Sequence, residues 1–128
     1  MTKLVFEEET YKVIGACIKV HKKIGNGFTV DVYHEALMKE LSKAEIPFEQ
    51  QKKLPIYYNG STMVTFFVAD FLCFNKIILE IKKVNRLEPS IKYQVISHLK
   101  STKVEVALLI NFGEKSLTWK RFINTHQS

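Results

Sequence analysis

The sequence has little cysteine and no long apolar run. Its 128 residues include only two cysteines, Cys17 and Cys73, which are too few for a disulfide framework. We therefore expect two buried thiols in a reducing compartment. No run approaches the roughly 20 apolar residues that a bilayer span needs. The acidic N-terminal stretch MTKLVFEEETYK also has no signal-peptide core. These absences favour a cytoplasmic protein with no membrane partner.

Several motifs of metal and nucleotide chemistry are missing as well. Two cysteines and four scattered histidines fit no zinc-ligand spacing. The segment Gly25-Asn26-Gly27 is not followed by the Gly-Lys-Ser/Thr of a phosphate-binding loop. No Ser/His/Asp or Cys/His hydrolase motif is visible. A structural zinc protein, a P-loop nucleotide hydrolase and a serine or cysteine hydrolase are therefore disfavoured.

The composition is that of an ordinary globular protein. Hydrophobic residues make up 46% of the chain and charged residues 25%, which excludes a disordered or low-complexity sequence. The length predicts a single domain over residues 1–128. Nineteen basic and 13 acidic residues give a net charge of +6, which permits an anionic partner without identifying it.

The first half of the chain has helical periodicity. Apolar residues recur at helical spacing from about Phe6 to Ile24, where glycines end the helix. A second helix is expected from near Thr29, a candidate N-cap, until Pro47 stops the pattern.

The pattern then changes to strands. Runs of β-branched and aromatic residues predict strands over 53–58, 63–74, 76–84, 104–112 and 117–123, with a hairpin turn at Asn59-Gly60. A third helix is expected after Pro89. The predicted order is ααβββαββ, an α/β fold with a mixed central sheet flanked by helices.

The third predicted strand brings acidic residues next to each other. A hairpin centred on Asn75 places Asp70 opposite Glu80 and Val68 opposite Lys82. Because side chains alternate along a strand, Asp70, Glu80 and Lys82 are expected on one face. The other face is expected to be core, formed by Phe67, Ala69, Phe71, Ile77, Leu79 and Ile81.

Apolar residues are expected around this charged trio, namely Phe66, Val68, Leu72, Ile78 and Val84. Two facing carboxylates in such surroundings repel each other and lose water, so a cation is needed nearby. Lys82 can offset one charge, and a hard divalent metal would offset more. An ordinary acid–lysine pair in a half-exposed strand is the alternative that spacing alone leaves open.

The segment Asp70…Glu80-Ile81-Lys82 resembles the active-site signature of the PD-(D/E)XK nuclease superfamily. Over about residues 11–123 the chain is similar to one small branch, the GxxExxY proteins. The matching segments are Ile14-Gly15-Ala16, Val20-His21, Gly25-Asn26-Gly27-Phe28, Val32-Tyr33-His34-Glu35-Ala36-Leu37, Ala69-Asp70, Ile78-Leu79-Glu80-Ile81-Lys82 and Leu108-Leu109-Ile110-Asn111-Phe112-Gly113.

The resemblance implies a PD-(D/E)XK nuclease-like fold and a nuclease that acts on nucleic acid, with DNA as the expected substrate. Asp70, Glu80 and the main-chain carbonyl of Ile81 would bind Mg²⁺ or Mn²⁺. Lys82 would orient or activate the attacking water and stabilise charge on the phosphate. On the following helix, Gln94 matches a glutamine found in the wider superfamily, whereas His98 stands where a tyrosine is usual.

Two positions depart from the family pattern. The Gly-x-x-Glu-x-x-Tyr motif has Val30 at the glutamate position. The adjacent Asp31 is rotated by about 100° on a helix and is a poor substitute. Val68 replaces the usual arginine before Ala69-Asp70. The alternative is therefore a weak or inactive nuclease-fold module that binds nucleic acid or a protein partner.

Basic residues are frequent in two regions. They could provide phosphate contacts that carry no sequence information, or they could form ordinary solvated faces. One group follows the candidate site and the other lies along the first helix: Lys83, Arg86, Lys92, Lys100 and Lys103, and Lys12, Lys19, Lys22 and Lys23.

Overall fold

A computed structural model describes residues 5–124 and confirms the predicted order ααβββαββ. No helix in this range has the length and apolar content to cross a membrane. The elements are α1 (Glu7–Ile24), α2 (Val30–Lys43), β1 (Phe48–Tyr58), β2 (Ser61–Cys73), β3 (Ile77–Lys82), α3 (Pro89–Thr102), β4 (Val106–Asn111) and β5 (Thr118–Ile123).

The five strands form one mixed sheet, as predicted, and they lie in the order β1-β2-β3-β4-β5. The pair β3 and β4 is parallel and is connected by α3, whereas the other neighbouring pairs are antiparallel. The β1–β2 turn has left-handed backbone at both Asn59 (φ 52°) and Gly60 (φ 82°). This geometry matches the right-handed twist of the flanking strands, which is why Asn-Gly is favoured in such turns.

Two hydrophobic clusters cover the two faces of the sheet. Helices α1 and α2 pack on one face, through residues such as Val13, Tyr33 and Leu37. Helix α3 packs on the other face through Val95 and Leu99. Strand β4 is fully buried because it lies between both clusters, as its continuous apolar run predicted.

Both cysteines are free and buried. Burial in the first cluster raises the pKa of the Cys17 thiol, and burial raises that of Cys73 to about 12. The prediction of buried thiols is therefore confirmed, and neither cysteine has the thiolate character that reactive cysteines need.

Strand β1 begins earlier than the sequence predicted. It starts at Phe48, which pairs with Cys73, and not at residue 53. Its first residues are polar because β1 is an edge strand, whose outer side faces water. Gln51 also interrupts the strand with left-handed backbone (φ 47°), so the alternation that marks a strand is absent there.

The prediction that Phe67, Ala69 and Phe71 share one face is wrong. Phe71 packs in the α1/α2 cluster, whereas Ala69 and Phe67 pack in the α3 cluster. The faces change at Asp70, which lies across from Gln51. Gln51, the left-handed residue, lies on the partner strand β1, and β2 loses its strict period of two opposite this irregularity. Consequently Phe66 and Val68 are 45% and 39% exposed and do not lie with Leu72 and Ile78.

The ends of β3 and β4 are held together by Asn111, which is fully buried. Its side-chain carbonyl accepts hydrogen bonds from the main-chain N–H groups of Val84 and Gly113, both at 3.0 Å. Its amide donates to the Val84 carbonyl at 2.9 Å. A Cβ atom on Gly113 would lie 2.2 Å from that carbonyl oxygen, so this position requires glycine.

We expect Gly113→Ala to lower the free energy of unfolding by about 3 kcal/mol or more, because the added Cβ would clash with the Val84 backbone, which cannot move aside as a flexible side chain could. Gly15→Ala is the matched control, since nothing lies within 4 Å of its added Cβ. It should stabilise α1 by about 0.5–1 kcal/mol. Urea unfolding measures both effects, and equal midpoints for Gly113→Ala and the wild type would contradict this packing.

Candidate active site

The candidate site lies where β2 and β3 separate. The paired residues run from Cys73 and Ile77 to Phe71 and Leu79, which is the predicted hairpin register. At the next position the carboxylate of Asp70 accepts a hydrogen bond from the main-chain N–H of Ile81 at 2.9 Å. A side chain thus occupies the position of a main-chain acceptor, and this contact anchors Asp70 beside Glu80.

Glu80 is held by the third helix. It is 6% exposed, and its Oε2 lies 2.7 Å from Nδ1 of His98. The imidazole stacks on the Phe67 ring with centroids 4.0 Å apart. Stacking fixes the ring plane, and the short contact fixes one carboxylate oxygen. His98 therefore positions Glu80, whereas the sequence had shown it only as the residue that stands where a tyrosine is usual.

The charge environment of Asp70 is that of a partly desolvated acid. Burial raises the pKa of its carboxyl, and the nearby charge of Glu80 raises it further. The hydrogen bond from Ile81 opposes this shift, as do the charges of Lys82 and His34. The expected repulsion between two facing carboxylates is thus present. Asp70, Glu80 and Lys82 lie near one another, as the hairpin register predicted.

His34 is a neighbour that sequence reasoning did not single out. It lies on α2, stacks on Phe71 with centroids 4.4 Å apart and contacts the Gln50 side chain at 2.9 Å. Its charge also acts on Asp70. One sequence signal could have indicated His34. Val30 occupies the family's glutamate position, and His34 lies one helical turn later, on the same face of α2.

Gln94 does not share the contacts of His98. It lies one turn earlier on α3 and is exposed. Within residues 5–124 no hydrogen bond connects it to Asp70, Glu80 or Lys82. Its assignment to the site remains a prediction that rests on the family pattern.

Val30 opens helix α2 and is 40% exposed. It follows Thr29, which is the N-cap as predicted, although the Thr29 side chain makes no capping hydrogen bond. Residues four apart share a helix face, so Val30 lies on the same face as His34. Asp31 is exposed and rotated away from that face. Val30 therefore lies on the exposed first turn of α2, on the helix face that carries His34.

The oxygen atoms of the site suit a hard divalent cation but are few. One oxygen of Asp70 and one of Glu80 are engaged by Ile81 and His98, which leaves one oxygen of each carboxylate. No group of three or more His, Cys, Asp or Glu side chains in the described part of the chain is placed to hold a metal. Two carboxylates and a main-chain carbonyl could still provide an all-oxygen ligand set.

Comparison with known proteins places this geometry in a family. The sequence matches the PD-(D/E)XK nuclease superfamily over residues 7–122. The chain belongs to this superfamily. Its nucleases generally use divalent metals, which agrees with the carboxylate oxygens of the site.

A solved structure shares the fold. The crystal structure of SSO0001 superposes with a TM-score of 0.56 at 17% sequence identity. The match covers 95% of this chain and 61% of SSO0001, so this chain spans about three-fifths of the length of that protein. At this identity the likeness shows the fold alone. A comparison with curated proteins gave no match.

The raised pKa of Asp70 predicts a pH-dependent cost of ionisation. The folded protein holds the Asp70 proton more tightly than the unfolded chain does. Ionisation therefore lowers stability as pH rises from the ordinary aspartate range through the raised pKa. In EDTA at neutral pH we expect Asp70→Asn to melt above the wild type, because its amide oxygen can still accept from Ile81. The difference should disappear below about pH 4.

Glu49→Gln is the control for this experiment, because the Glu49 side chain is 55% exposed and should change the melting temperature little at any pH. A lower melting temperature for Asp70→Asn than for the wild type at neutral pH would show that ionised Asp70 stabilises the fold.

Proposed function

We propose that the protein is a divalent-metal-dependent nuclease that hydrolyses phosphodiester bonds in DNA. The main support is the contact between Asp70 and the Ile81 amide, which holds this carboxylate beside Glu80 and Lys82 in a member of a nuclease superfamily. Mg²⁺ or Mn²⁺ is the expected ion, since carboxylate and carbonyl oxygens suit both.

Each residue has a distinct role in this proposal. Asp70, Glu80 and the Ile81 carbonyl would hold the ion, which polarises a phosphoryl oxygen and lowers the pKa of bound water. Lys82 orients the attacking water and stabilises negative charge on the phosphate. His98 fixes one oxygen of Glu80 and leaves the other directed away from the imidazole.

The proposal extends to the branch and the compartment. The motif segments from Ile14 to Gly113 support membership of the GxxExxY branch, with Val30 as its main departure. The free, buried state of Cys17 and Cys73 supports a reducing compartment such as the cytoplasm.

A specific observation favours a second candidate, a weak or inactive nuclease-fold module that binds nucleic acid or a protein. The described residues bring together two carboxylates at this site and no cluster of three acidic or histidine side chains. Fewer anionic ligands hold a cation more weakly. Metal binding distinguishes the two functions, because the module does not need it.

If the protein is a nuclease, millimolar Mg²⁺ or Mn²⁺ should raise its melting temperature, because the ion binds only the folded protein. The free energy of unfolding should increase by about 2.7 kcal/mol when the metal concentration reaches 100 times its Kd. Asp70→Asn and Glu80→Gln should abolish that increase and the cleavage of labelled DNA. Lys82→Ala should keep metal binding but lose cleavage by about 100-fold or more. Differential scanning calorimetry and a gel assay measure these effects.

Lys39→Ala is the matched control, since it removes an exposed lysine that belongs neither to the charged trio nor to the two basic groups. No metal binding and no cleavage by the wild type at millimolar metal would reject the nuclease and favour the module.

Val30 provides a gain-of-function test. Val30→Glu should tighten Mn²⁺ binding and raise DNA cleavage, because it adds an acid on the helix face of His34. Since Val30 is 40% exposed, the added carboxylate can remain solvated and the folding cost should be small. Isothermal titration calorimetry and the cleavage assay measure the gain, beside a melting curve in metal.

Val30→Ala should change neither quantity. If Val30→Glu folds normally and leaves metal affinity and cleavage unchanged, position 30 does not face the site and the family alignment there is wrong.

A further inference from the structure

A second cavity lies outside the candidate site, between the last turns of α1 and the start of β5. It has a volume of about 590 Å³, which is in the range of ligand pockets. Ile18 and Leu117 line its apolar part, together with the indole of Trp119. Trp119 is 43% exposed and is the sole tryptophan of the chain. We call this cavity the α1/β5 groove.

The polar lining of the α1/β5 groove is basic. Lys22 comes from α1 and Lys115 from the turn before β5, and the described lining includes no carboxylate. Neither lysine forms an ion pair within residues 5–124. One oxygen of the nearby Glu114 carboxylate, Oε2, accepts hydrogen bonds from Asn111 and Thr118, both at 2.8 Å. Because neither lysine forms an ion pair in the described part of the chain, both can contact an anion.

The groove continues along α1. An adjoining cavity of about 480 Å³ shares Ile18 and Trp119 and adds Tyr11, Lys12 and Lys19 to the lining. Its lining also includes Glu40, whose carboxylate pairs with Lys23 at 2.6 Å. From Tyr11 to Lys22 the helix rises by about 17 Å. Two aromatic residues and three lysines thus line an elongated surface, bounded at its far end by the acidic first turn of α1.

A short loop connects the α1/β5 groove with the candidate site. Gly25 and Asn26 line the groove, and helix α2, which carries His34, begins four residues later at Val30. Between them, Phe28 is 48% exposed. The sheet register places Trp119 beside Ile110 and Ile110 beside Ile81, so two strand spacings, about 10 Å, separate the Trp119 backbone from the site strand. The Trp119 side chain lies on the α1/α2 face with Ile110, whereas Glu80 lies on the α3 face with Leu109.

We propose that the α1/β5 groove binds single-stranded nucleic acid, with a base stacked on Trp119 and phosphates contacted by Lys22 and Lys115. Bases of a single strand offer exposed faces to an aromatic ring, whereas those of a duplex are already stacked on each other. Lysines on both sides of the indole complement the charge of the backbone. The inference rests on the proposed function, since it names the form of nucleic acid that would approach the site.

The sole tryptophan allows a direct test on the full chain in EDTA, where no metal-dependent cleavage occurs. An oligo-dT strand should quench Trp119 fluorescence to saturation, and added salt should weaken the binding. The double variant Lys22→Glu/Lys115→Glu should bind at least about tenfold more weakly. Trp119→Ala, measured by anisotropy of a labelled strand, should lose about tenfold in affinity while Trp119→Phe retains most of it.

The matched control is Lys39→Glu/Lys53→Glu, which makes the same change in net charge. Both lysines are exposed, and Lys53 lies on β1, at the edge of the sheet opposite to the strand that carries Trp119. This control should bind nearly as tightly as the wild type. Melting curves of both double variants must show that they fold.

Three results would overturn the proposal: no quenching by oligo-dT, equal quenching by a duplex of the same length, or equal weakening in both double variants. The experiment distinguishes a failure of the groove proposal from a failure of the proposed nuclease function. Binding without any metal-dependent cleavage supports the groove and counts against the nuclease. Cleavage without quenching rejects the groove alone.

Discussion

The hydrogen bond from the Ile81 amide to the Asp70 carboxylate is the constraint on which the site depends. It ends the main-chain pairing of β2 and β3 after Phe71 and Leu79, so the two strands separate without leaving a buried amide unpaired. Gln51, across from Asp70 on the other neighbouring strand, adopts left-handed backbone. Such a conformation costs about 1 kcal/mol or more for a non-glycine residue and persists only where surrounding contacts impose it.

The same irregularity determines which helix each aromatic residue of β2 meets. Phe71 packs under α2 and His34, whereas Phe67 packs under α3 and His98. In a regular strand these two rings would share a face, and His98 would have no ring to stack on. The stacking of His98 on Phe67 therefore depends on the change of face at Asp70.

Sequence reasoning succeeded where the pattern is regular. Helical spacing, the Asn59-Gly60 turn and the apolar run of β4 predicted the element order, and the hairpin register brought Asp70 next to Glu80. It failed at the irregularity, because Gln51 is not a residue type that signals left-handed backbone. Contacts that join distant elements, such as His98 with Glu80, also leave no local pattern in the sequence.

The valine at position 30 changes the electrostatic balance of the site. Burial and Glu80 already raise the pKa of Asp70, so a third carboxylate nearby would add repulsion that only a bound cation could offset. With valine in place of the family's glutamate at position 30, the charge of Lys82 and the hydrogen bond with His98 act on only two carboxylates. On the proposed function, such a site would fold without an ion more easily than a three-acid site and would hold an ion less tightly. Stability without metal and affinity for metal would then be opposed at this one position.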